Sequence, residues 1–247
     1  MTKGALKHAL RRIGLYERAS RAWIWTEPKL TNAVRALSGR DQQLIRQYLQ
    51  STAAPALHIG AGANHLDGWL NTELCPRGEQ IFLDATKPFP LPTGAFDFVY
   101  SEHMIEHIAH ADALRMLREC HRVLKPGGVI RIVTPNLAFL KTLIEEPLDP
   151  VRAAYVRFYQ REHRIPGPDG SGPHVFNHFV RAWGHQFIYD QNSLGDTLRA
   201  AGFVDVRPCA LTESPHDRLR GVAKVDRMPD GFLALESITV EAQTPAH

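Results

Sequence analysis

The residues able to do chemistry gather around one stretch of this chain, Leu57 to Glu73. A short apolar run (Ala56, Leu57, Ile59) ends in Gly60-Ala61-Gly62, which reads as a buried strand breaking into a turn tight enough for the backbone to approach a ligand. A Cβ at those glycines would block the approach. Eleven residues past Gly62 stands Glu73, closing a second strand-like run from Trp69 to Thr72, where a carboxylate can accept hydrogen bonds from two ribose hydroxyls. Ile81-Phe82-Leu83 makes a third short strand and ends in Asp84, placed to meet the amine of an adenine ring. Phe96 to Tyr100 makes a fourth and opens onto Ser101-Glu102-His103. An imidazole exchanges its proton near neutral pH, so His103, at the carboxyl end of that strand, is a candidate catalytic or substrate-orienting group. His107, one helical turn on, reads as structural together with Glu106. His103 and His107 resemble half of a metal site, but no third ligand is evident and H-M-I-E-H is not H-E-x-x-H, so no metal is expected. A second polar-aromatic cluster, His174, His178, Trp183, His185 and Tyr189, precedes the last helix.

These residues must be positioned by the surrounding elements. Asp41 to Gln50 has the apolar spacing of a helix, with Asp41 as its expected N-cap, and Ser51 to Pro55 links it to the core. Between Gly62 and Trp69 there is room for one helical turn at most, so the first crossover is curtailed. Lys87 to Gly94, with three prolines, is a rigid loop. Ala111 to Leu124 reads as a helix stopped by Pro126-Gly127-Gly128, and Val129 to Val133 as the fifth strand. Residues 136 to 160 read as helical with a break at 147–150, and 164–173 as a mobile surface loop. Asp190 caps a helix ending at Gly202, and Phe203 to Val206 with Leu235 to Val240 finish the sheet. The cadence predicts an α/β fold, a doubly wound and mostly parallel sheet whose ligand lies beyond the carboxyl ends of the strands.

Composition sets the outer bounds. With 247 residues, 44% hydrophobic and 22% charged, there is material for one main domain and an appendage, divided here into a helical extension over 1–52 and the domain over 53–247. No apolar run approaches the roughly 20 residues of a membrane span and no secretory leader is evident, which predicts a cytoplasmic protein. Three scattered cysteines give neither a disulfide framework nor a metal knuckle. The net charge is +3, yet residues 1–40 hold nine Lys/Arg against two Glu, leaving +7 there and −4 in the remainder. Helical spacing of Leu6, Leu10, Ile13 and Tyr16, with Trp23-Ile24-Trp25 after them, makes this an amphipathic basic arm, suited to an anionic membrane surface, to an acidic substrate, to the domain itself or to a second copy in a homodimer.

The ordered segments L-H-I-G-A-G, G-W-L-N-T-E, F-D-F-V-Y-S-E-H-M-I-E-H-I, H-R-V-L-K-P-G-G-V-I-R-I-V-T-P-N and A-G-F-V-D-V span roughly residues 56 to 208. In that order they resemble class I S-adenosylmethionine-dependent methyltransferases, in particular a subgroup in which L-x-I-G-x-G closely precedes G-W-[LI]-N-x-[DE]. The resemblance implies a Rossmann-like sheet with a C-terminal antiparallel hairpin and S-adenosylmethionine as cofactor. Its expected binding set is Gly60, Ala61, Gly62, Glu73, Asp84, Ser101 and Glu102, with a glutamate at 73 where aspartate is commoner. It further implies O-methylation of a sugar, polysaccharide or other small hydroxylated metabolite. Such a transfer needs a base if the acceptor is a hydroxyl, and the candidates are His103, His178 and His185, with Glu102 next. The competing reading is a non-catalytic protein of the same fold that docks through the basic arm and has a blocked cofactor pocket. A nicotinamide enzyme is disfavoured because G-A-G-A-N-H lacks a third glycine, and nucleic acid is not expected as a partner because the chain beyond the arm is net acidic.

Overall fold

A computed structural model describes residue 35 and residues 38–246. The basic arm with Trp23, Ile24 and Trp25, and with it most of the expected extension, lies outside the described residues. The first complete helix, α1 (Arg40–Ser51), follows Gly39, which takes a left-handed φ of 64° and serves as the N-cap in place of Asp41. Asp41, in the first turn, does different work. Its carboxylate accepts from Arg35 Nη2 at 2.7 Å and from the backbone N–H of Phe82 at 3.2 Å, which ties the helix to the sheet edge. Tyr48 ties the other end, its hydroxyl exchanging hydrogen bonds with the backbone N and O of Ala56 at 2.8 and 2.9 Å.

Seven strands follow: β1 (Ala56–Ile59), β2 (Leu70–Glu73), β3 (Ile81–Phe82), β4 (Phe96–Glu102), β5 (Leu124–Pro135), β6 (Val204–Pro208) and β7 (Ser237–Gln243). They lie in the order β3-β2-β1-β4-β5-β7-β6. The first five pair in parallel, while β7 runs antiparallel to both β5 and β6. β1 is buried along its whole length because both faces of the sheet are covered. Leu57 and Ile59 point into a core shared with helices α2 (His110–Val123) and α6 (Gln191–Ala200), whereas Ala56 joins Trp69, Tyr100 and Val133 on the other face.

The first crossover contains no helix, as the short spacing requires. Asn71 organises it. Its side chain accepts from Leu66 N–H at 3.0 Å, donates to the carbonyls of Leu66 and Trp69 at 2.9 and 3.1 Å, and meets His58 Nδ1 at 3.0 Å, so one buried amide fixes both the loop and the register of β2 beside β1. β5 is longer than its apolar run suggests: Leu124 already pairs with Phe96, and the register shifts before Phe98 meets Val129. Pro126-Gly127-Gly128 is therefore an irregularity within the strand that also ends the helix before it.

Beyond β5 the chain builds a cover from α3 (Leu137–Thr142), α4 (Pro150–Glu162) and α5 (Gly172–Arg181). These helices share a small core of their own, with Leu140, Leu143, Tyr155, Val156, Tyr159, Val175 and Phe179 buried. The start of α5 falls within the stretch expected to be loop, because glycine there has a packing reason: a Cβ on Gly172 would lie 1.6 Å from the Leu143 carbonyl oxygen. Residues 209–236, including the short helix α7 (Phe232–Glu236), make a long excursion between the antiparallel strands β6 and β7. Among the described residues no helix is long and apolar enough to cross a membrane.

Candidate active site

Two cavities open at the carboxyl ends of the parallel strands. The first, about 410 Å³, is lined by Ile59, Gly60 and Gly62 after β1, Glu73 and Leu74 after β2, Leu83 to Thr86 after β3, and His103, Met104, His107 and Ile108 after β4. Its volume is that of a small-ligand site, usually about 300–1,000 Å³. Gly60 has a left-handed φ of 68°, and a Cβ there would come within 2.5 Å of Met104 Cγ, so the close approach the glycine permits is that of the β4 loop. Gly62, at φ 52°, has nothing within 4 Å of the corresponding position. The Gly62 N–H donates to Glu73 Oε2 at 2.8 Å, and the Leu74 N–H donates to Oε1 at 2.8 Å, so the carboxylate is held at the cavity rim by backbone on both sides. Asp84 lies across the cavity with Oδ1 accepting from the Thr86 N–H and hydroxyl at 2.9 and 2.7 Å. A turn open to close approach, a fixed acid and a second acid 11 residues further on suit the methionine, ribose and adenine parts of S-adenosylmethionine in that order.

The second cavity, about 420 Å³, shares His103 and His107 with the first. Its remaining wall includes Glu106, Glu162, Glu236 and Arg227 beside the rings of Phe158, Tyr159, Phe179, Trp183 and His185. His103 follows β4 in a left-handed φ of 47°, a conformation costly for a residue with a side chain and characteristic of functional sites. Its Nδ1 lies 3.4 Å from Glu106 Oε1 and its Nε2 3.0 Å from Ser237 Oγ. Glu106 is fully buried, and its Oε2 accepts from Thr134 Oγ1 at 3.0 Å. Burial alone would raise that carboxyl, but His103, its own backbone and His107 outweigh it and hold it below the usual range. Burial pushes the Glu236 carboxyl up, against the hydrogen bond the Tyr155 hydroxyl donates to it at 2.6 Å. Desolvation likewise lowers the His185 imidazole.

The structure brings some of the sequence candidates together and separates others. Gly60, Gly62, Glu73 and Asp84 line the first cavity; Ala61 is buried beneath it, its N–H donating to the Thr72 carbonyl at 2.9 Å. Ser101 is buried in β4 and does not line that cavity. Glu102 points to the opposite face of the sheet, where Tyr100 OH lies 3.1 Å, Asn64 Nδ2 3.4 Å and Arg227 Nη2 3.4 Å from its oxygens. Strand alternation explains the split, since 101 and 102 must point to opposite faces. Of the base candidates, His103 and His185 share the second cavity. His178 lies in a separate, more open one beside His174 and Arg181, stacked on His163 at 5.8 Å. Glu106 was legible only as a neighbour of His107, and Glu236, Arg227 and Tyr159 carried no local signal at all. They reach the site from segments whose placement depends on tertiary packing.

Residues 58–132 match the family model described as a methyltransferase domain. The chain is 30% identical, over 131 residues, to a Mycobacterium tuberculosis protein named "probable S-adenosylmethionine-dependent methyltransferase", a match covering 53% of this chain and 34% of the relative. A Mycolicibacterium smegmatis protein with a similar name is 39% identical over 61 residues, 25% of this chain and 23% of the relative. The chain thus spans about a third or less of the length of the curated relatives it matches. Among solved structures it is similar to a Thermotoga maritima SAM-dependent methyltransferase, at 16% identity and a TM-score of 0.45, covering 87% of this chain and 96% of that one. Residues 58–132 are thus similar to a methyltransferase domain, and the relatives matched in sequence are named S-adenosylmethionine-dependent methyltransferases.

Proposed function

We propose that the protein is an S-adenosylmethionine-dependent methyltransferase whose acceptor is a hydroxyl on a sugar, a polysaccharide or a similar small metabolite. One observation carries this reading: the cavity suited to the cofactor and the cavity beside it meet at His103 and His107. Two ligands held on either side of that wall are aligned for a direct transfer, which is most of what an in-line displacement asks of a protein. When bound, S-adenosylmethionine supplies a methyl group activated on a sulfonium. Aromatic rings beside carboxylates and an arginine suit a polyhydroxylated acceptor, with ring faces against C–H surfaces and polar atoms on the hydroxyls. An open cavity of about 410 Å³ also runs against the blocked pocket expected of a non-catalytic relative.

The acceptor oxygen gains a methyl and must lose a proton. A carboxylate only accepts, so Glu106 favours the His103 tautomer with its proton on Nδ1, leaving Nε2 as the basic nitrogen toward Ser237 Oγ. The proton then reaches Nε2 either directly or through the Ser237 hydroxyl. An acceptor panel scored by release of S-adenosylhomocysteine tests the activity. With an acceptor in hand, His103→Ala is expected to lower turnover by about 10² to 10⁴. Near wild-type turnover in that variant removes His103 from the mechanism, and the absence of homocysteine-product release with every hydroxylated acceptor argues against O-methylation.

A further inference from the structure

The second cavity holds a cluster of which hydroxyl activation by His103 uses only Glu106. Glu106, His107 and His185 each present one ligand atom, and these atoms lie within 4.8 Å of one another. Glu106 Oε1 is buried and faces two imidazole nitrogens, His103 Nδ1 at 3.4 Å and His107 Nε2 at 4.0 Å. The two imidazoles are set as metal ligands usually are. Nδ1 of His107 lies 2.9 Å from the Trp183 carbonyl oxygen and Nδ1 of His185 lies 2.7 Å from that of Phe179. A carbonyl can only accept, so both rings carry their proton on Nδ1 and keep a lone pair on Nε2, the arrangement by which a backbone partner fixes the tautomer and orientation of a metal-binding histidine.

The third ligand is as firmly placed as the first two. The N–H groups of Gln186 and Phe187 donate to the Glu106 carbonyl at 2.7 and 3.3 Å, and Gln186 Nε2 donates to the His107 carbonyl at 2.8 Å. The segment carrying His185 is therefore laced to the segment carrying Glu106 and His107. In a tetrahedral site with bonds of about 2.0–2.1 Å the ligand atoms stand about 3.4 Å apart, so closure around an ion asks for shifts of about an ångström, within reach of side-chain rotation.

We infer that Glu106, His107 and His185 form a binding site for a divalent first-row transition ion, of the Zn²⁺ or Fe²⁺ type, with open positions facing the second cavity. Two imidazoles and one carboxylate select such ions over Mg²⁺ or Ca²⁺, which prefer all-oxygen shells. Three protein ligands leave room for a hydroxyl or a vicinal pair of hydroxyls to bind. This deepens the reading of that cavity as the acceptor site and rests on it: the ion would orient the acceptor oxygen beside the shared wall and ease loss of its proton.

The test uses the full chain without a polyhistidine tag, stripped with chelator and titrated with Co²⁺ while its visible absorption is followed, then with Zn²⁺ as competitor. The expected result is one ion per chain, with affinity reduced at least about tenfold in His107→Ala, His185→Ala and Glu106→Gln and unchanged in His178→Ala. Should Glu106→Gln not fold, the two histidine variants decide. Wild-type protein that binds no Co²⁺, or His107→Ala and His185→Ala that bind it as wild type does, overturns the site. S-adenosylhomocysteine binding is measured by calorimetry on the same samples: its retention alongside a failed metal titration overturns this inference alone, whereas its absence overturns the methyltransferase reading.

Discussion

The Glu73 carboxylate does two jobs with two oxygens. Each already accepts a backbone hydrogen bond, from Gly62 on one side and Leu74 on the other, so the glycine turn is held in shape before any ligand arrives. Glu73→Ala removes that clamp together with the proposed acceptor for the ribose hydroxyls. The expected loss is about 2–4 kcal/mol, a fall of roughly 30-fold to 10³-fold in affinity for S-adenosylhomocysteine, while Glu73→Gln, which keeps one carbonyl acceptor, should lose less. Calorimetric titration measures both, and equal affinity in a folded Glu73→Ala variant removes the residue from the site. This part of the site was legible in the sequence because the turn, the strand and the acid lie within 17 residues of one another and interact locally. His185 was legible only as one of three histidines in a polar-aromatic segment. Which of them faces the cavity depends on the left-handed Trp183 at the end of α5 and on backbone hydrogen bonds to Glu106, neither of which leaves a spacing to read.

At the scale of elements, the pair Arg131–Glu241 binds the antiparallel part of the sheet together. Both side chains are essentially inaccessible, they stand opposite each other in the β5–β7 register, and Nη1 lies 2.6 Å from Oε1. Arg131 also donates to the carbonyls of Ala210, Leu211 and Glu213, which anchors the excursion between β6 and β7 to the sheet. Arg131→Met leaves a buried carboxylate and three carbonyls without their donor, and should cost about 3–5 kcal/mol in denaturant unfolding. A loss below about 1 kcal/mol would mean the excursion finds other partners. The Asp190 cap of α6 gives a prediction with a pH sign. Its carboxylate accepts from the Ser193 hydroxyl and N–H at 2.6 and 2.7 Å, the hydroxyl first among the contacts that hold it below the usual carboxylate range. A depressed carboxyl contributes above its unfolded pKa of about 3.9 and loses that contribution as pH falls through its folded value. Asp190→Ala should therefore cost about 1 kcal/mol at pH 7, and the gap from wild type should narrow steadily in acid below pH 4. A gap that does not change with pH would show that the charge is not what caps the helix. The cap was legible from Asp190 preceding an apolar-periodic run, while Asp41 was misread because the same residue type in the first turn of a helix can serve a strand instead.

At the scale of the whole molecule, charge is divided unevenly along the chain. The +7 of residues 1–40 faces a remainder at −4, and every residue lining the two cavities falls in that remainder. The mostly parallel sheet followed from the strand-helix cadence and its antiparallel end from the family resemblance, while the strand order was not read from the sequence. The cover did not follow, since its small core joins residues from 140 to 179 through contacts no local period encodes. The arm's chemistry is simple enough to test without its structure. Lys3, Lys7, Arg11 and Arg12 precede a Trp-Ile-Trp cluster, a composition that favours anionic lipid surfaces, where each basic residue near the surface contributes about 1 kcal/mol. Full-length protein should sediment with vesicles of anionic phospholipid at low salt and release as ionic strength rises past the point where the screening length falls to about 8 Å. Replacing those four residues by Gln should weaken vesicle binding by roughly 10² or more and leave S-adenosylhomocysteine affinity unchanged, because the residues expected to hold the cofactor include none of the four. Equal partition of wild type between anionic and neutral vesicles would sink the lipid assignment and return the arm to packing against the domain or a second copy, which sedimentation equilibrium of the same two proteins would separate.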